Sequence, residues 1–172
     1  MELSFLYELQ QLHNPILDAI MVFITGLGDK GMIWIVIALL LCCQRKSRAC
    51  GVSMLIAMLM GLVLGNGIVK NLIARPRPCW IDPSVSLLIV KPTDYSFPSG
   101  HTLASVEGAV TIWLYNRKWG IPALILAGFI AFSRLYLFVH YPTDVLVGVM
   151  LGVIIAVTVY NLVYHLYNIQ KN

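Results

Sequence analysis

A polar segment in the middle of an otherwise apolar chain, residues 95–102, carries the side chains best suited to chemistry. It reads Tyr-Ser-Phe-Pro-Ser-Gly-His-Thr, where Pro98 and Gly100 favour a turn and Ser99 is a good helix N-cap. A helix that starts here leaves the backbone N–H groups of Gly100 and His101 without intrahelical partners. Such a terminus binds anions, and a histidine beside it can donate a proton. The segment therefore indicates phosphate chemistry.

Two further polar clusters lie at the ends of apolar stretches, at residues 70–78 and 133–144. A cation such as Lys70 or Arg134 is costly within a membrane span unless it is paired, so it marks a functional site by default. Any one of these cations alone is better explained by a side chain that reaches up to the headgroups. Three clusters at one membrane face, each with a cation or a histidine, instead predict a shared site.

The composition is typical of a polytopic membrane protein and excludes an ordinary soluble domain. Of the 172 residues, 59% are hydrophobic and 12% are charged, with a formal net charge of +4. We expect a single membrane domain over residues 1–172. We expect membrane lipids as its surroundings and no nucleic acid as a partner; the sequence leaves the oligomeric state open.

The apolar segments predict an all-α bundle of about six transmembrane helices, preceded by a short amphipathic helix within residues 1–14. The first two predicted spans are shorter than the roughly 20 residues that a bilayer needs, and we expect them to form a hairpin. The loop over residues 75–98 is long and polar, as functional loops often are. The predicted spans are 15–27, 32–43, 50–73, 102–115, 121–138 and 145–167.

Basic residues predict the orientation of these spans. One side of the membrane would hold Arg45, Lys46, Arg48, Arg117, Lys118 and Lys171. The other side would hold Lys30, Lys70, Arg75, Arg77, Lys91 and Arg134, so the counts are equal. The tie breaks when Lys70, Arg77 and Arg134 are set aside as site residues. The positive-inside rule then predicts a multi-pass protein of the cell membrane whose active site faces outward.

No metal and no cofactor are expected. The cysteines are Cys42, Cys43, Cys50 and Cys79, and their spacing fits neither a disulfide framework nor a Cys/His metal site. No carboxylate pair at ligand spacing lies near the three clusters. Of the remaining charges, we expect Glu107 to be buried with a polar partner, and Asp82, Lys91 and Asp94 to be solvated loop residues.

The three clusters resemble the three motifs of the type 2 phosphatidic acid phosphatase (PAP2) superfamily, in its membrane-bound branch. The resemblance covers about residues 50–165, and all three motifs are complete and in order. Arg75 forms a second Arg-Pro pair that does not keep the family spacing, so it is either a charge behind the site or a headgroup contact. The motifs are Lys70-(six residues)-Arg77-Pro78, Pro98-Ser99-Gly100-His101 and Ser133-Arg134-(five residues)-His140-(three residues)-Asp144.

The resemblance implies a role for each motif residue. His140 would attack phosphorus and form a phosphohistidine, while Asp144 would orient the ring and stabilise its positive charge. His101 would protonate the leaving oxygen and then activate water. The substrate phosphate would be bound by Lys70, Arg77, Arg134, Ser99 and the N–H group of Gly100.

The resemblance implies a lipid phosphate or diphosphate phosphatase, and the chain's small size resembles bacterial undecaprenyl-diphosphate phosphatases. Polyprenyl diphosphate, phosphatidylglycerol phosphate and phosphatidic acid are the candidate substrates. A phosphotransferase on the same scaffold stays open. A non-enzymatic lipid transporter would predict degraded motifs, and none is degraded. The superfamily also includes vanadate-dependent haloperoxidases, which we expect to resemble this chain only in the pocket.

Overall fold

The computed structural model describes residues 1–169, and no strand occurs among them, which confirms the all-α prediction. A 3-10 turn, Asp29–Gly31, separates α2 from α3, and a π-helical segment, Leu62–Val69, follows α4. The α-helices are α1 (Glu2–Gln10), α2 (Pro15–Leu27), α3 (Met32–Cys42), α4 (Arg48–Gly61), α5 (Lys70–Ile73), α6 (Pro78–Ile81), α7 (Gly100–Tyr115), α8 (Arg117–Tyr136) and α9 (Pro142–Ile169).

By length and composition, three helical segments of the described residues could cross a membrane: Arg48–Ile81, Arg117–Tyr136 and Pro142–Tyr164. The helices α2 and α3 meet the same criteria only when taken together, as a pair bent by 43°. The described part of the chain therefore has three or four candidate spans. The predicted count of six is not confirmed.

The predicted hairpin of α2 and α3 is wrong. The pair bends by 43° instead of folding back, and α2 packs against α8 whereas α3 packs against α4 and α7. Lys30 and Gly31 both have positive φ angles, 52° and 69°, and such left-handed residues interrupt a right-handed helix. The break lies beside the first turn of α7, since a Cβ on Gly28 would be 3.0 Å from His101 Cδ2.

The predicted N-terminal helix is present as α1, but its position in the membrane interface is not confirmed. Its Leu6 and Leu9 side chains are buried in a core cluster that includes Tyr136 and Phe138. The side chain of Gln10 also donates a hydrogen bond to the Tyr136 carbonyl at 2.9 Å. These contacts dock α1 on the segment that joins α8 to α9.

The helix that carries the Pro-Ser-Gly-His segment, α7, packs against α3, α4, α8 and α9. Gly108 lets the indole of Trp34 approach, because a Cβ there would lie 2.6 Å from the ring. The indole N–H of Trp34 donates to Ser105 Oγ at 3.0 Å. Because neighbours hold α7 on several sides, its N-terminus is fixed in the bundle.

The π-helical segment brings the first motif to the start of α7. Such segments occur frequently at functional sites. A Cβ on Gly100 would lie 2.8 Å from Asn66 Oδ1, so only glycine allows this approach. The segment runs into α5, which begins at Lys70 and ends where Ala74 takes a left-handed conformation with a φ of 47°. The first and second motifs are therefore adjacent.

Candidate active site

The three polar clusters meet around one cavity of about 1520 Å³. Six of the eight predicted site residues contribute to its wall, and the other two, Ser99 and Asp144, lie outside it. Away from these residues the cavity continues along apolar side chains that include Val22, Ile35, Leu55 and Leu62. The predicted residues in the wall are Lys70, Arg77, Gly100, His101, Arg134 and His140.

His140 lies in the segment between α8 and α9 and is 1% exposed. The guanidinium Nη1 of Arg77 is 3.0 Å from His140 Nε2. A guanidinium only donates hydrogen bonds, so Nε2 accepts and carries a lone pair. On the other side of the ring, Nδ1 faces Asp144 Oδ2 at 3.5 Å and Ser96 Oγ at 3.4 Å. Burial lowers the pKa of His140 well below its usual value, and the nearby cations Arg77, Arg134 and Lys70 lower it further.

Asp144 is fully buried in the first turn of α9, directly behind His140. Its Oδ2 accepts a hydrogen bond from Tyr141 N at 2.9 Å, which is the reciprocal contact of a helix capping box. The same oxygen accepts from Ser96 Oγ at 2.5 Å, and Oδ1 accepts from Arg75 Nη1 at 2.7 Å. Both carboxylate oxygens are therefore occupied, and the side chain has one orientation.

Asp94 contacts two of the predicted phosphate-binding cations. Its carboxylate is 2.6 Å from Lys70 Nζ and 2.7 Å from Arg77 Nη2, and its carbonyl accepts from Arg77 Nε at 2.7 Å. Burial alone would raise the pKa of Asp94, but the hydrogen bonds and charges of Lys70 and Arg77 outweigh it and lower the pKa to about 2. Asp94 is an exposed loop residue as predicted, with 55% of its side chain accessible. Its ion pairs with Lys70 and Arg77 were not predicted, because they depend on the loop folding back over the cations.

Arg134, in the cavity wall, has one N–H donor without a hydrogen-bond partner among the described residues. Its Nη1 donates to Thr25 Oγ1, but its buried Nε has no hydrogen-bond partner among the described residues. An unpaired buried donor costs about 1–3 kcal/mol, so this guanidinium is suited to binding an anion. Glu107 is 1% exposed, and its Oε1 likewise has no partner in the described part of the chain. The predicted polar partner of Glu107 is therefore not found.

His101 is held by a residue that the sequence analysis did not identify. Its Nε2 lies 2.9 Å from Asp29 Oδ1, in the break between α2 and α3. Because an ionised carboxylate only accepts, Nε2 is the donor, which leaves Nδ1 to exchange a proton with a ligand. The available signal was an acidic residue beside Gly28, at the point where two short apolar segments meet.

Ser99 caps α7 instead of lining the cavity. Its hydroxyl oxygen accepts from Thr102 N at 3.5 Å and from Thr102 Oγ1 at 3.0 Å, and its side chain is fully buried. The N-cap prediction is confirmed by these contacts. A direct contact of Ser99 with phosphate stays a prediction.

Comparisons with known sequences identify relatives for the chain. Residues 49–167 match the PAP2 superfamily. An undecaprenyl-diphosphatase of Sulfolobus acidocaldarius is 39% identical over 137 residues, which cover 78% of this chain and 65% of that protein. The undecaprenyl-diphosphatase BcrC of Bacillus subtilis is 36% identical over 134 residues, which cover 78% of this chain and 68% of that protein. The match thus spans about two thirds of the length of these relatives.

Solved structures share the fold. Aquifex aeolicus LpxE matches with a TM-score of 0.81 and 25% identity, over 93% of this chain and 94% of that chain. A PAP2-type phosphatidylglycerolphosphate phosphatase of Bacillus subtilis matches with a TM-score of 0.77 and 27% identity, over 94% and 83% of the two chains.

A bacterial vanadium-dependent iodoperoxidase also matches, with a TM-score of 0.77 and 20% identity, over 93% of this chain and 48% of that chain. The expectation that haloperoxidases resemble this chain only in the pocket was therefore wrong, since the helical fold itself is shared. With three complete motifs gathered at one cavity and residues 49–167 matched, the chain belongs to the PAP2 superfamily.

Proposed function

We propose that the chain is an integral membrane phosphatase that hydrolyses the phosphate or diphosphate headgroup of a lipid, with a polyprenyl diphosphate as the favoured substrate. The observation that carries this proposal is the arrangement of His140. Its Nε2 lone pair faces the phosphate-binding cations, while Nδ1 faces a fully buried carboxylate. The undecaprenyl-diphosphatases among the relatives support the same substrate class.

In the proposed reaction, His140 Nε2 attacks the terminal phosphorus and the bond from phosphorus to the leaving oxygen breaks. The leaving oxygen takes a proton from His101, which Asp29 orients. Asp144 stabilises the positive charge that forms on the His140 ring. Water then attacks the phosphorus and gives a proton to His101, the bond between phosphorus and His140 Nε2 breaks, and inorganic phosphate leaves. Throughout, Lys70, Arg77 and Arg134 neutralise the phosphoryl oxygens.

The shape of the cavity favours a lipid substrate. From the cations it extends between the bent α2–α3 pair and α4, where its wall includes Val22, Ile35, Leu55 and Leu59. A phosphate bound at the cations would thus continue into an apolar channel, as the headgroup and chain of an amphiphile require. A small soluble phosphate ester would leave this part of the cavity unused.

We propose that this single membrane domain crosses the bilayer through the four candidate spans, which are the bent α2–α3 pair, α4–α5, α8 and α9. We propose α7 as a fifth crossing, although its 16 residues are too few for it to count as a candidate span, because it connects the loop over the site to the basic turn at the opposite face. In this topology α1 and the candidate site lie at the outer face. The opposite face then carries Arg45, Lys46, Arg48, Arg117 and Lys118, in agreement with the positive-inside rule. Lys171, which was counted with them, lies outside the described residues.

The purified protein should release phosphate from a polyprenyl diphosphate in detergent with EDTA present, since the cations of the site already neutralise the substrate. His140→Ala should lose this activity on every lipid phosphate, and rapid quenching should trap phosphohistidine in the wild type alone. Complete loss of activity in EDTA, restored by magnesium, would contradict the proposed mechanism.

His101→Ala should depend on the leaving group, because general acid catalysis is worth about 10²–10⁴ in rate and matters most for a poor leaving group. The variant should lose most of its turnover of phosphatidic acid, whose alkoxide leaves poorly, and retain a measurable fraction on an aryl phosphate. The ratio of the two rates, measured for wild type and variant, checks this. Equal losses on both substrates would argue against His101 as the acid.

Asp94→Asn should strengthen the binding of orthovanadate, because the Asp94 carboxylate competes for the cations that the anion needs. Because 55% of the Asp94 side chain is exposed, water screens part of the repulsion between this carboxylate and the anion. We therefore expect the inhibition constant to fall by about tenfold, which corresponds to about 1.4 kcal/mol. Asp82→Asn removes the same charge from another position of the same loop and should leave the inhibition constant unchanged. Weaker vanadate binding by Asp94→Asn would instead mean that Asp94 holds the cations in place for the ligand.

Thiol labelling of intact cells should distinguish the two faces. Val90 is 92% exposed in the loop over the cavity, and Cys43 is exposed at the opposite end of the bundle. In the double variant Val90→Cys, Cys43→Ser, an impermeant maleimide should label the new cysteine on intact cells. In the wild type, the same reagent should label Cys43 only after permeabilisation. Cys50 and Cys79 are buried and should stay unreactive. The reverse pattern would place the site in the cytosol.

A further inference from the structure

Arg75, the arginine that does not keep the motif spacing, bridges the candidate site and the N-terminal helix. Its Nη1 donates to Asp144 Oδ1 and to Thr143 Oγ1, both at 2.7 Å, and its Nη2 is 2.6 Å from Glu2 Oε2. The guanidinium carbon lies 3.8 Å from the centre of the Tyr141 ring, a cation–π distance. Arg75 is thus held by a ring and two carboxylates.

Glu2 also contacts α9 directly, through its other carboxylate oxygen. Oε1 accepts from Thr143 N at 3.0 Å and from Thr143 Oγ1 at 2.7 Å. It thereby satisfies a free N–H group in the first turn of α9, where the helix dipole favours a negative charge. Burial alone would raise the pKa of Glu2, but the hydrogen bonds from Thr143 and Arg75 outweigh it and lower the pKa. The burial of Leu6 and Leu9 anchors the helix that carries Glu2.

The two oxygens of Asp144 have different partners. Oδ2 faces the His140 ring and accepts from Ser96 and Tyr141, whereas the hydrogen-bond partner of Oδ1 is Arg75. Without Arg75, Oδ1 would be a buried oxygen without a partner, and the carboxylate would be held only through Oδ2, by Ser96 and Tyr141. Charges of alternating sign therefore run from the His140 ring outward through Asp144, Arg75 and Glu2.

We propose that Arg75 and Glu2 are positioning residues for Asp144, so that the N-terminal helix α1 is part of the catalytic apparatus. This inference rests on the proposed function, in which Asp144 supports the nucleophile His140. Arg75 fixes the rotation of the Asp144 carboxylate and shares its charge. Glu2 holds Arg75 in place and balances part of the charge of the guanidinium.

The charge sequence predicts opposite effects on the pH dependence. Removing the charge of Arg75 leaves the full Asp144 charge on the imidazole, so the pKa of His140 should rise. When the charge of Glu2 is removed, the positive charge of Arg75 offsets more of the negative charge of Asp144. The imidazolium form of His140 is then less stabilised, so the pKa of His140 should fall. The other charged and titratable groups around this site stay in place in both variants: Lys70, Arg77, His101, Arg134 and Tyr141.

The test compares Arg75→Met, Glu2→Gln and their double variant, with Glu8→Gln as the control. Glu8 is an exposed glutamate of the same helix, so its replacement removes the same charge from α1. Glu2→Gln keeps the acceptor for Thr143, so it tests the charge alone even if Arg75→Met is too unstable to purify. The readouts are kcat and KM on a polyprenyl diphosphate and the acidic limb of the pH–rate profile.

We expect Arg75→Met to lower kcat by about 10- to 100-fold and change KM by less than about threefold, because it acts through Asp144 and not on the bound phosphate. Glu2→Gln should lower kcat by about 3- to 10-fold, and by less than about twofold when Arg75 is already Met. The acidic limb should move to higher pH in Arg75→Met and to lower pH in Glu2→Gln. Glu8→Gln should match the wild type.

An active wild type whose pH profile is unchanged in Arg75→Met and Glu2→Gln would overturn the positioning role and leave the proposed function intact. The same follows if Glu2→Gln has equal effects with and without Arg75. A wild type that hydrolyses no lipid phosphate would overturn the proposed function and the catalytic part of this inference with it.

Discussion

The fully buried carboxylate of Asp144 determines the arrangement of its surroundings. An ion taken out of water costs several kcal/mol unless hydrogen bonds and an opposite charge compensate it. Here the compensation comes from the loop before α7 through Ser96, from the segment before α9 through Tyr141, and from the first motif through Arg75. Segments distant in sequence thus converge on one side chain, and the same convergence places His140 at the cavity.

The cations of the site also need compensation, because they lie close together and repel one another. Asp94 compensates Lys70 and Arg77, whereas Arg134 keeps a donor without a partner in the described residues. When no ligand is bound, the carboxylate of Asp94 reduces the repulsion between these cations. The same carboxylate repels an incoming phosphate, so Asp94 stabilises the empty site and weakens phosphate binding.

Sequence reasoning identified the residues whose type and spacing are fixed by chemistry. The cap at Ser99 follows from a local rule and agrees with the structure. The gathering of the three motifs at one cavity was predicted from their common membrane face and also agrees. The roles of Asp29, Asp94 and Glu2 did not follow, because each depends on a contact with a residue far away in sequence. The hairpin prediction failed because apolar length does not reveal whether a short break turns the chain by 43° or reverses it.

The bend between α2 and α3 also bears on how the protein assembles in the membrane. Its two arms have 13 and 11 residues, about 20 and 17 Å of helix, so neither can cross a bilayer alone. The charges of Asp29 and Lys30 lie between them, and Asp29 meets His101 only when α7 is in place. In the proposed topology, the passage through α2 and α3 is therefore completed by a contact with a helix about 70 residues later in the chain. Insertion of this passage and formation of the Asp29–His101 pair would then be coupled.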